Sequence, residues 1–298
     1  MVKTKGVLSY LLLAFGVAWL LWEIPIRLGV SPRSPLFQLA ALPGAFAPAI
    51  SAIVVRRWIT GEGFADAGLR LNLRKWPYYV VAWLLPLPVT AAIIALAAAL
   101  GLSQPDFTLM RFGTWVLGGT SPPPPPAYIL LALPLQFLIS ALVATPVLWG
   151  EEFGWRGYLQ ARLFPRRPLL AAVSTGLIWG VWHYPVNLRG YNYPEQPLLG
   201  LILFPVGTVL LSIVFGWLRL RTGSVWAASL AHASTNVIGG SLTLLLFMGG
   251  PNWIWVSYLG LLGWIPLGML CAWIVLAGQL EPDSTPSEIV GNAKGTVR

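Results

Sequence analysis

Long apolar runs separated by short polar segments make up almost the whole chain. A helix that crosses a bilayer needs about 20 mostly apolar residues, and eight runs have this character. They cover residues 7–26, 36–55, 77–101, 127–150, 168–187, 197–218, 223–248 and 253–278. The pattern predicts an all-α integral membrane protein, built as a bundle of about eight transmembrane helices.

Composition supports this prediction. The 298 residues are 56% hydrophobic and 10% charged, with a mean hydropathy of +0.71, whereas a soluble domain carries about 25% charged residues. The chain also holds 16 Trp, 31 Gly and 26 Pro, and membrane helices tolerate Gly and Pro and concentrate Trp at the two interfaces. We therefore expect lipid to surround most of the protein.

The first apolar run resembles a secretion signal because it follows Lys3 and Lys5. It is long for a signal core, lacks a small-residue cleavage site, and is followed by Trp22 and Glu23. We interpret it as a retained transmembrane helix.

The basic residues predict an orientation. Their excess gives a formal charge of +9, but they lie in short loops and form no continuous block, which argues against nucleic-acid binding. The predicted loops on the side of the two termini carry 15 Lys and Arg with the termini included, and the opposite loops carry 4. Because cytoplasmic loops are enriched in Lys and Arg, both termini should be cytoplasmic.

Three parts of the chain differ in composition. We expect residues 1–126 to hold three helices and a proline-rich external loop, 127–278 a helical core, and 279–298 a disordered cytoplasmic tail. The uninterrupted run Pro122 to Pro126 favours polyproline II, and indicates a stiff spacer or, alternatively, a ligand for a proline-binding partner. The single Cys271 excludes a disulfide framework and a cysteine-rich metal site.

Ionisable residues inside apolar helices are costly and usually mark function. Run 4 ends with Glu151, Glu152 and Arg156, and runs 5 and 7 contain His183 and His232, the two histidines of the protein. Glu152 and Arg156 are four residues apart and share a helix face, whereas Glu151 points about 100° away. Glu152 is therefore predicted to pair with Arg156, which leaves Glu151 as the better general base.

Depth along the helices provides a second test. His183 would lie about 22 Å, and His232 about 14 Å, from the cytoplasmic ends of their helices. If helix 4 continues to about Leu163, Glu151 lies about 18 Å from that end, and the three side chains reach similar levels. We therefore predict that helix 4 runs through Glu151 and Arg156. His232 and Asn236 are four apart and project from one helix face among small residues.

Three short patterns follow one another on predicted helices 4, 5 and 7: Glu151-Glu152-x-x-x-Arg156, Trp179-x-x-x-His183 and His232-x-x-x-Asn236. Together they resemble the motifs of the CPBP (CAAX protease and bacteriocin-processing) family, although the family commonly has Phe at the position of Trp179. The resemblance covers about residues 127–248; helices 1 to 3 match only in hydropathy.

The resemblance implies an enzyme similar to type II CAAX prenyl endopeptidases, with eight helices around a catalytic cavity that opens toward the cytosol. Glu151 and His183 would activate a water, and His232 with Asn236 would stabilise the oxyanion. Glu152 and Arg156 would form a structural ion pair. The expected substrates are membrane-associated peptides, CAAX-type or related to bacteriocin maturation or immunity, reached from the cytoplasmic leaflet of a bacterial or archaeal cell membrane.

A metal is a separate question. Members of the family are called metalloproteases, and one carboxylate with two imidazoles, here Glu151, His183 and His232, could hold zinc. The sequence lacks His-Glu-x-x-His, and the same three side chains could catalyse hydrolysis without a metal. Both possibilities stay open at this point.

Other interpretations of the same residues are simpler. The acidic pair could belong to a solvated turn, His183 could lie at a fraying helix end before Tyr184 and Pro185, and His232 with Asn236 could be hydrogen-bonding contacts between helices. A proton-coupled transporter and a non-catalytic membrane scaffold or immunity protein are the alternative functions. Asn187 and Arg189, just beyond His183, are secondary site candidates.

Overall fold

The computed structural model describes residues 2–32, 34–110, 125, 128–247 and 252–281, and all regular structure in this part of the chain is helical. The predicted disordered tail falls largely outside the described residues, as does the proline run apart from Pro125. The stiff spacer, the disordered tail and the three-part organisation therefore stay predictions.

In the part of the chain that the structure describes, eight helical spans follow the eight predicted apolar runs. They are α1 (Val2–Arg27), α2 (Pro35–Ile59), α3 (Leu73–Ala99), α4 (Leu133–Leu159), α5 (Pro168–Trp182), α6 (Pro197–Thr222), α7 (Val225–Phe247) and α8 (Trp253–Leu276). All but α5 are long and apolar enough to cross a membrane. The predicted all-α membrane bundle is confirmed.

Several spans are composite. α2 consists of Pro35–Ala45, Ala47–Val54 and a π-helical end Val55–Ile59; α3 of a 3₁₀ turn Leu73–Lys75, Trp76–Leu84 and Pro86–Ala99; and α8 of Trp253–Val256 and Leu261–Leu276. The breaks in α2 and α3 fall just before Pro48 and Pro86, because proline has no N–H for the preceding turn and restricts the residue before it.

α4 continues past the end of its apolar run. The α-helix Leu133–Gly154 passes directly into a π-helical segment, Trp155–Leu159. The prediction that this helix runs through Glu151 and Arg156 is therefore confirmed, although the helix ends at Leu159 rather than near Leu163. Such π segments inside helices are frequent at functional sites.

α5 is shorter than predicted. It ends at Trp182, and a separate turn of helix, Tyr184–Asn187, follows His183. The backbone breaks here because Pro185 cannot donate a hydrogen bond to the turn before it. His183 thus lies at a helix end, as the simpler interpretation held, but its ring is directed into the protein interior, as described below.

α5 and α6 pack in close contact through small residues. A Cβ atom added to Gly176 would lie 2.6 Å from Val209 Cα, and the hydroxyl groups of Thr208 and Ser212 donate to the α5 carbonyls of Gly176 and Ala172 at 2.9 and 2.7 Å. Small residues and interhelical hydroxyl bonds of this kind join helices in lipid. They fix the position of α5, which carries the Trp179-x-x-x-His183 motif.

A two-residue turn joins α6 to α7. Gly223 has φ of 67°, the left-handed conformation that ends a helix at little cost. The Ser224 hydroxyl then accepts a hydrogen bond from the Trp226 N–H at 3.2 Å and caps α7. This tight connection fixes the start of α7 and hence the depth of His232.

Candidate active site

A cavity of about 1620 Å³ contains four of the six predicted site residues in its wall. They are Glu151 from α4, His183 at the end of α5, and His232 and Asn236 from α7. Glu152 and Arg156 do not line this cavity; both are buried, with exposures of 0% and 1%. The structure thus brings the four side chains together and separates them from the ion pair.

Trp179 fixes the orientation of Glu151. The indole Nε1–H donates to Glu151 Oε2 at 2.7 Å, and Glu151 is 6% exposed. A hydrogen bond to an ionised group is about twice as strong as one between neutral groups. One carboxylate oxygen is therefore held by α5, which leaves Oε1 as the oxygen for further contacts in the cavity.

Glu152 contacts two partners behind the cavity. Its Oε1 accepts from Arg156 at 2.7 Å, which is the predicted ion pair, and from His232 Nδ1 at 2.9 Å. The second contact was not predicted. Glu152 is thus more than the partner of Arg156, because it also fixes the plane of the His232 ring.

Aromatic rings enclose this buried group. The Arg156 guanidinium lies 4.8 Å from the Trp179 ring centroid and 5.1 Å from that of Phe215. The His232 ring meets Trp179 edge-on at 5.0 Å and stacks on Phe215 at 5.5 Å. The cation therefore lies between two π faces, an arrangement that stabilises it away from water.

His183 is held through its backbone-facing nitrogen. Its Nδ1 lies 2.9 Å from the Trp179 carbonyl oxygen. A carbonyl can only accept, so Nδ1 carries a proton. In the neutral ring the other nitrogen, Nε2, is then an acceptor. Because Glu152 similarly binds Nδ1 of His232, both imidazoles keep Nε2 for contacts in the cavity.

Asn236 lies in a further π-helical segment, Thr235–Gly240. Its side chain is exposed and lines the cavity one turn after His232. His232 and Asn236 thus line one cavity, and the π segments of α4 and α7 begin within the motifs, at Trp155 and Thr235.

Burial tests the simpler interpretations of the acidic pair. The acidic pair is not a solvated turn, since Glu151 and Glu152 are 6% and 0% exposed. Trp155 and Trp182 are fully buried and belong to the core. The secondary candidates are outside the cavity wall: Asn187 accepts from Asn192 at 2.7 Å, and Arg189 pairs with Glu23 at 2.8 Å.

The fit to a metal ion is poor. Among the described residues, no three His, Cys, Asp or Glu side chains are grouped closely enough to hold a metal, and this includes Glu151, His183 and His232. The two imidazoles nevertheless have the outer hydrogen bonds that ligating histidines usually have. Zinc binding stays a prediction, which metal analysis of the purified protein can test.

Polar side chains line the end of the cavity at the α5–α6 connection. Tyr191 donates its hydroxyl to Gln38 Oε1 at 3.0 Å, and burial raises the pKa of Tyr191. Glu195 and Met110 contribute to the same end of the wall. Glu151 and Glu195 are carboxylates, and among the described residues of the wall there is no Lys or Arg.

The comparison with known families matches the part of the chain that carries the three motifs. Residues 129–238, from just before α4 into α7, match the family described as type II CAAX prenyl endopeptidase Rce1-like. This segment is an Rce1-like domain. The family resemblance drawn from the three motifs is confirmed, and the domain is of a protease type. No match to the chain is found among curated proteins.

Sequence reasoning missed the contact between Trp179 and Glu151. The signal was visible, because Trp stands in this chain where the family commonly has Phe, and Trp has an N–H donor that Phe lacks. Without coordinates, however, nothing indicates that the donor reaches a carboxylate on another helix.

Proposed function

We propose that the protein is an intramembrane endopeptidase that hydrolyses peptide bonds of membrane-associated substrates, with Glu151, His183, His232 and Asn236 as catalytic residues. The observation that supports this most directly is their common cavity, together with the outer hydrogen bond that holds each of the three ionisable groups. A proton acceptor near water and donors near a developing oxyanion are what peptide hydrolysis needs.

In this proposal Glu151 removes a proton from a water molecule that also donates to His183 Nε2. The water oxygen bonds to the peptide carbonyl carbon, and the carbonyl π electrons move to its oxygen. When the tetrahedral intermediate collapses, the C–N bond breaks and Glu151 returns the proton to the leaving nitrogen. A carboxylate held by a fixed donor is suited to this role because its orientation is set before the substrate arrives.

The oxyanion would be stabilised by Asn236 and His232. The Asn236 amide is a donor in any state. His232 donates from Nε2 only when both ring nitrogens carry protons, because Nδ1–H already binds Glu152. The carboxylate of Glu152, 2.9 Å away, compensates the charge of that doubly protonated ring, and Arg156 compensates Glu152. We therefore assign Glu152 and Arg156 as positioning residues.

Glu151→Gln tests the proposal. The change keeps the shape of the side chain and removes the base, so kcat/KM should fall by about 100-fold or more. Cleavage is measured in detergent with a panel of internally quenched peptides: a prenylated CAAX peptide, its unprenylated form and apolar transmembrane sequences. Glu195→Gln, the same change elsewhere in the cavity wall, is the matched control and should keep wild-type activity.

Two results would contradict the proposal. Glu151→Gln with wild-type cleavage would remove Glu151 from the mechanism. Wild-type protein that cleaves no member of the panel would argue against endopeptidase activity, and in that case measurement of solute uptake into vesicles would test the transporter alternative.

A further inference from the structure

The cavity extends to one end of the bundle, which we call the open end. Three connecting segments and the start of α8 contribute to its wall: α1–α2 through Pro32, α3–α4 through Met110, α5–α6 through Tyr191 to Glu195, and α8 through Trp253 and Ser257 to Leu259. All four lie at the end of the bundle where α1 finishes. Among the described residues, the connections α2–α3, α4–α5 and α6–α7 at the other end contribute nothing to the wall.

The other end of the bundle is closed. The π-helical segment of α4, Trp155–Leu159, is buried along its whole length beneath the reactive side chains. Below it, Arg56 donates to the Gly157 carbonyl at 3.1 Å and pairs with Asp66 at 2.7 Å. Packed side chains and ion pairs therefore separate the catalytic candidates from the α2–α3 and α4–α5 connections.

The closed end also carries most of the positive charge. Ten Lys and Arg lie in or beside its three connections: Arg56, Arg57, Arg70, Arg74, Lys75, Arg162, Arg166, Arg167, Arg219 and Arg221. Among the described residues the open end has Arg27 and Arg189, and the sequence adds Arg33 and Arg111 to the α1–α2 and α3–α4 connections. The closed end has this excess of Lys and Arg even when neither terminus is counted. This excess indicates that the closed end is cytoplasmic.

Two predictions from the sequence therefore conflict. The charge bias places the termini in the cytoplasm, and the family resemblance implies a cavity open to the cytoplasm. In the structure the start of α1 lies at the closed end, where a Cβ on Gly6 would be 2.8 Å from the Tyr158 hydroxyl, whereas Trp22, near the other end of α1, lines the cavity. The two predictions cannot both hold.

We propose that the substrate reaches the site from the non-cytoplasmic face of the membrane, so that the protein acts on exported peptides or on segments of membrane proteins exposed at that face. The cleavage step rests on the proposed function, and the side of access rests on the charge bias and the wall of the cavity. The largely apolar wall suits an apolar segment.

Single-cysteine labelling tests the side of access without any need for activity. The natural Cys271 is buried, so Cys271→Ser provides a cysteine-free background. Glu195→Cys marks the open end and Arg70→Cys, also exposed, marks the closed end. In spheroplasts of a bacterial expression host, a membrane-impermeant maleimide should label Glu195→Cys at once and Arg70→Cys only after lysis. The reverse pattern would overturn the proposal.

Blocking one end tests whether the labelled face is the path to the site. Attachment of a maleimide–polyethylene glycol chain to Glu195→Cys in detergent should reduce peptide cleavage at least tenfold, while the same attachment at Arg70→Cys should leave it unchanged. Equal inhibition at both positions, or at Arg70→Cys alone, would contradict access through the open end. If unmodified protein cleaves no peptide, the proposed function fails, and the labelling result still decides the orientation.

Discussion

Trp179→Phe is the substitution that tests most directly whether this site depends on the orientation of Glu151 or only on the packing of its aromatic residues. It removes the indole N–H that donates to Glu151 Oε2 at 2.7 Å and leaves an aromatic ring beside Arg156 and His232. The backbone carbonyl of residue 179, which accepts from His183, is unchanged. The perturbation is therefore confined largely to the orientation of Glu151.

The size of the effect follows from the kind of bond. A hydrogen bond to a charged group contributes about 1.5–3 kcal/mol, and each 1.36 kcal/mol of lost transition-state stabilisation is a factor of ten in rate. If the bond orients Glu151 for proton transfer, kcat should fall about 10- to 150-fold. KM should change little, because the indole N–H contacts Glu151 and is not needed to bind the peptide. Steady-state cleavage of the quenched peptide in detergent measures both.

Trp182→Phe is the matched control. Trp182 is also buried in α5 and donates its indole N–H, but to the Ala14 carbonyl at 3.0 Å, so its loss should lower the apparent melting temperature without a selective loss of kcat. Trp179→Phe should also have no further effect in a Glu151→Gln background, since a positioning residue acts only through the group it positions. Wild-type kcat in Trp179→Phe, or full additivity with Glu151→Gln, would refute this reasoning.

Three further predictions concern stability, measured as the apparent melting temperature in detergent. Gly176→Leu forces a side chain against the α6 backbone and should cost about 1–3 kcal/mol of stability. Gly268→Leu has no atom within 4 Å of an added Cβ and should have no effect. Equal shifts of the melting temperature in the two variants would contradict this prediction. Glu152→Gln leaves the Arg156 charge buried without a counter-charge and should cost about 3–5 kcal/mol, so an unchanged melting temperature would show that the pair is not structural. The hydrogen bond from Arg56 lowers the pKa of Asp66, so the stabilisation from this carboxylate is present above the unfolded-state pKa of about 3.9 and is lost as pH falls through the lower folded-state value. Asp66→Asn should therefore destabilise the protein at pH 7, by at most about 1 kcal/mol because the side chain is half-exposed. The difference should shrink below about pH 4, and an equal effect at pH 7 and pH 3 would contradict this prediction.

The sequence predicts what depends on one helix at a time. Eight apolar runs give eight helical spans, and the spacing of Glu152 and Arg156 gives their ion pair, because helix pitch alone brings residues four apart together. The continuation of α4 past Gly150 could also be predicted, since Glu151 could reach the level of the histidines only if the helix did not stop.

Contacts between helices could not be predicted from the sequence. Trp179 and Glu151 are 28 positions apart, and Glu152 and His232 are 80 positions apart. Their contacts depend on the packing angle and register of three helices, which apolar periodicity does not determine. The π segments of α4 and α7 have no sequence signal either, because they arise where packing favours one additional residue in the helix over a regular turn.

Each reactive group is hydrogen-bonded on the side away from the cavity, which explains why the site can be both buried and reactive. The outer contacts of Glu151, His183 and His232 come from Trp179 Nε1, the Trp179 carbonyl and Glu152, so a single residue of α5 positions two of the three groups. In lipid, unsatisfied polar atoms are costly, and these contacts satisfy one atom of each group while leaving another, Oε1 or Nε2, for water and substrate. Substitutions at Trp179 and Glu152 should therefore alter catalysis through Glu151 and His232, and the two effects should be separable because the two outer contacts come from different helices.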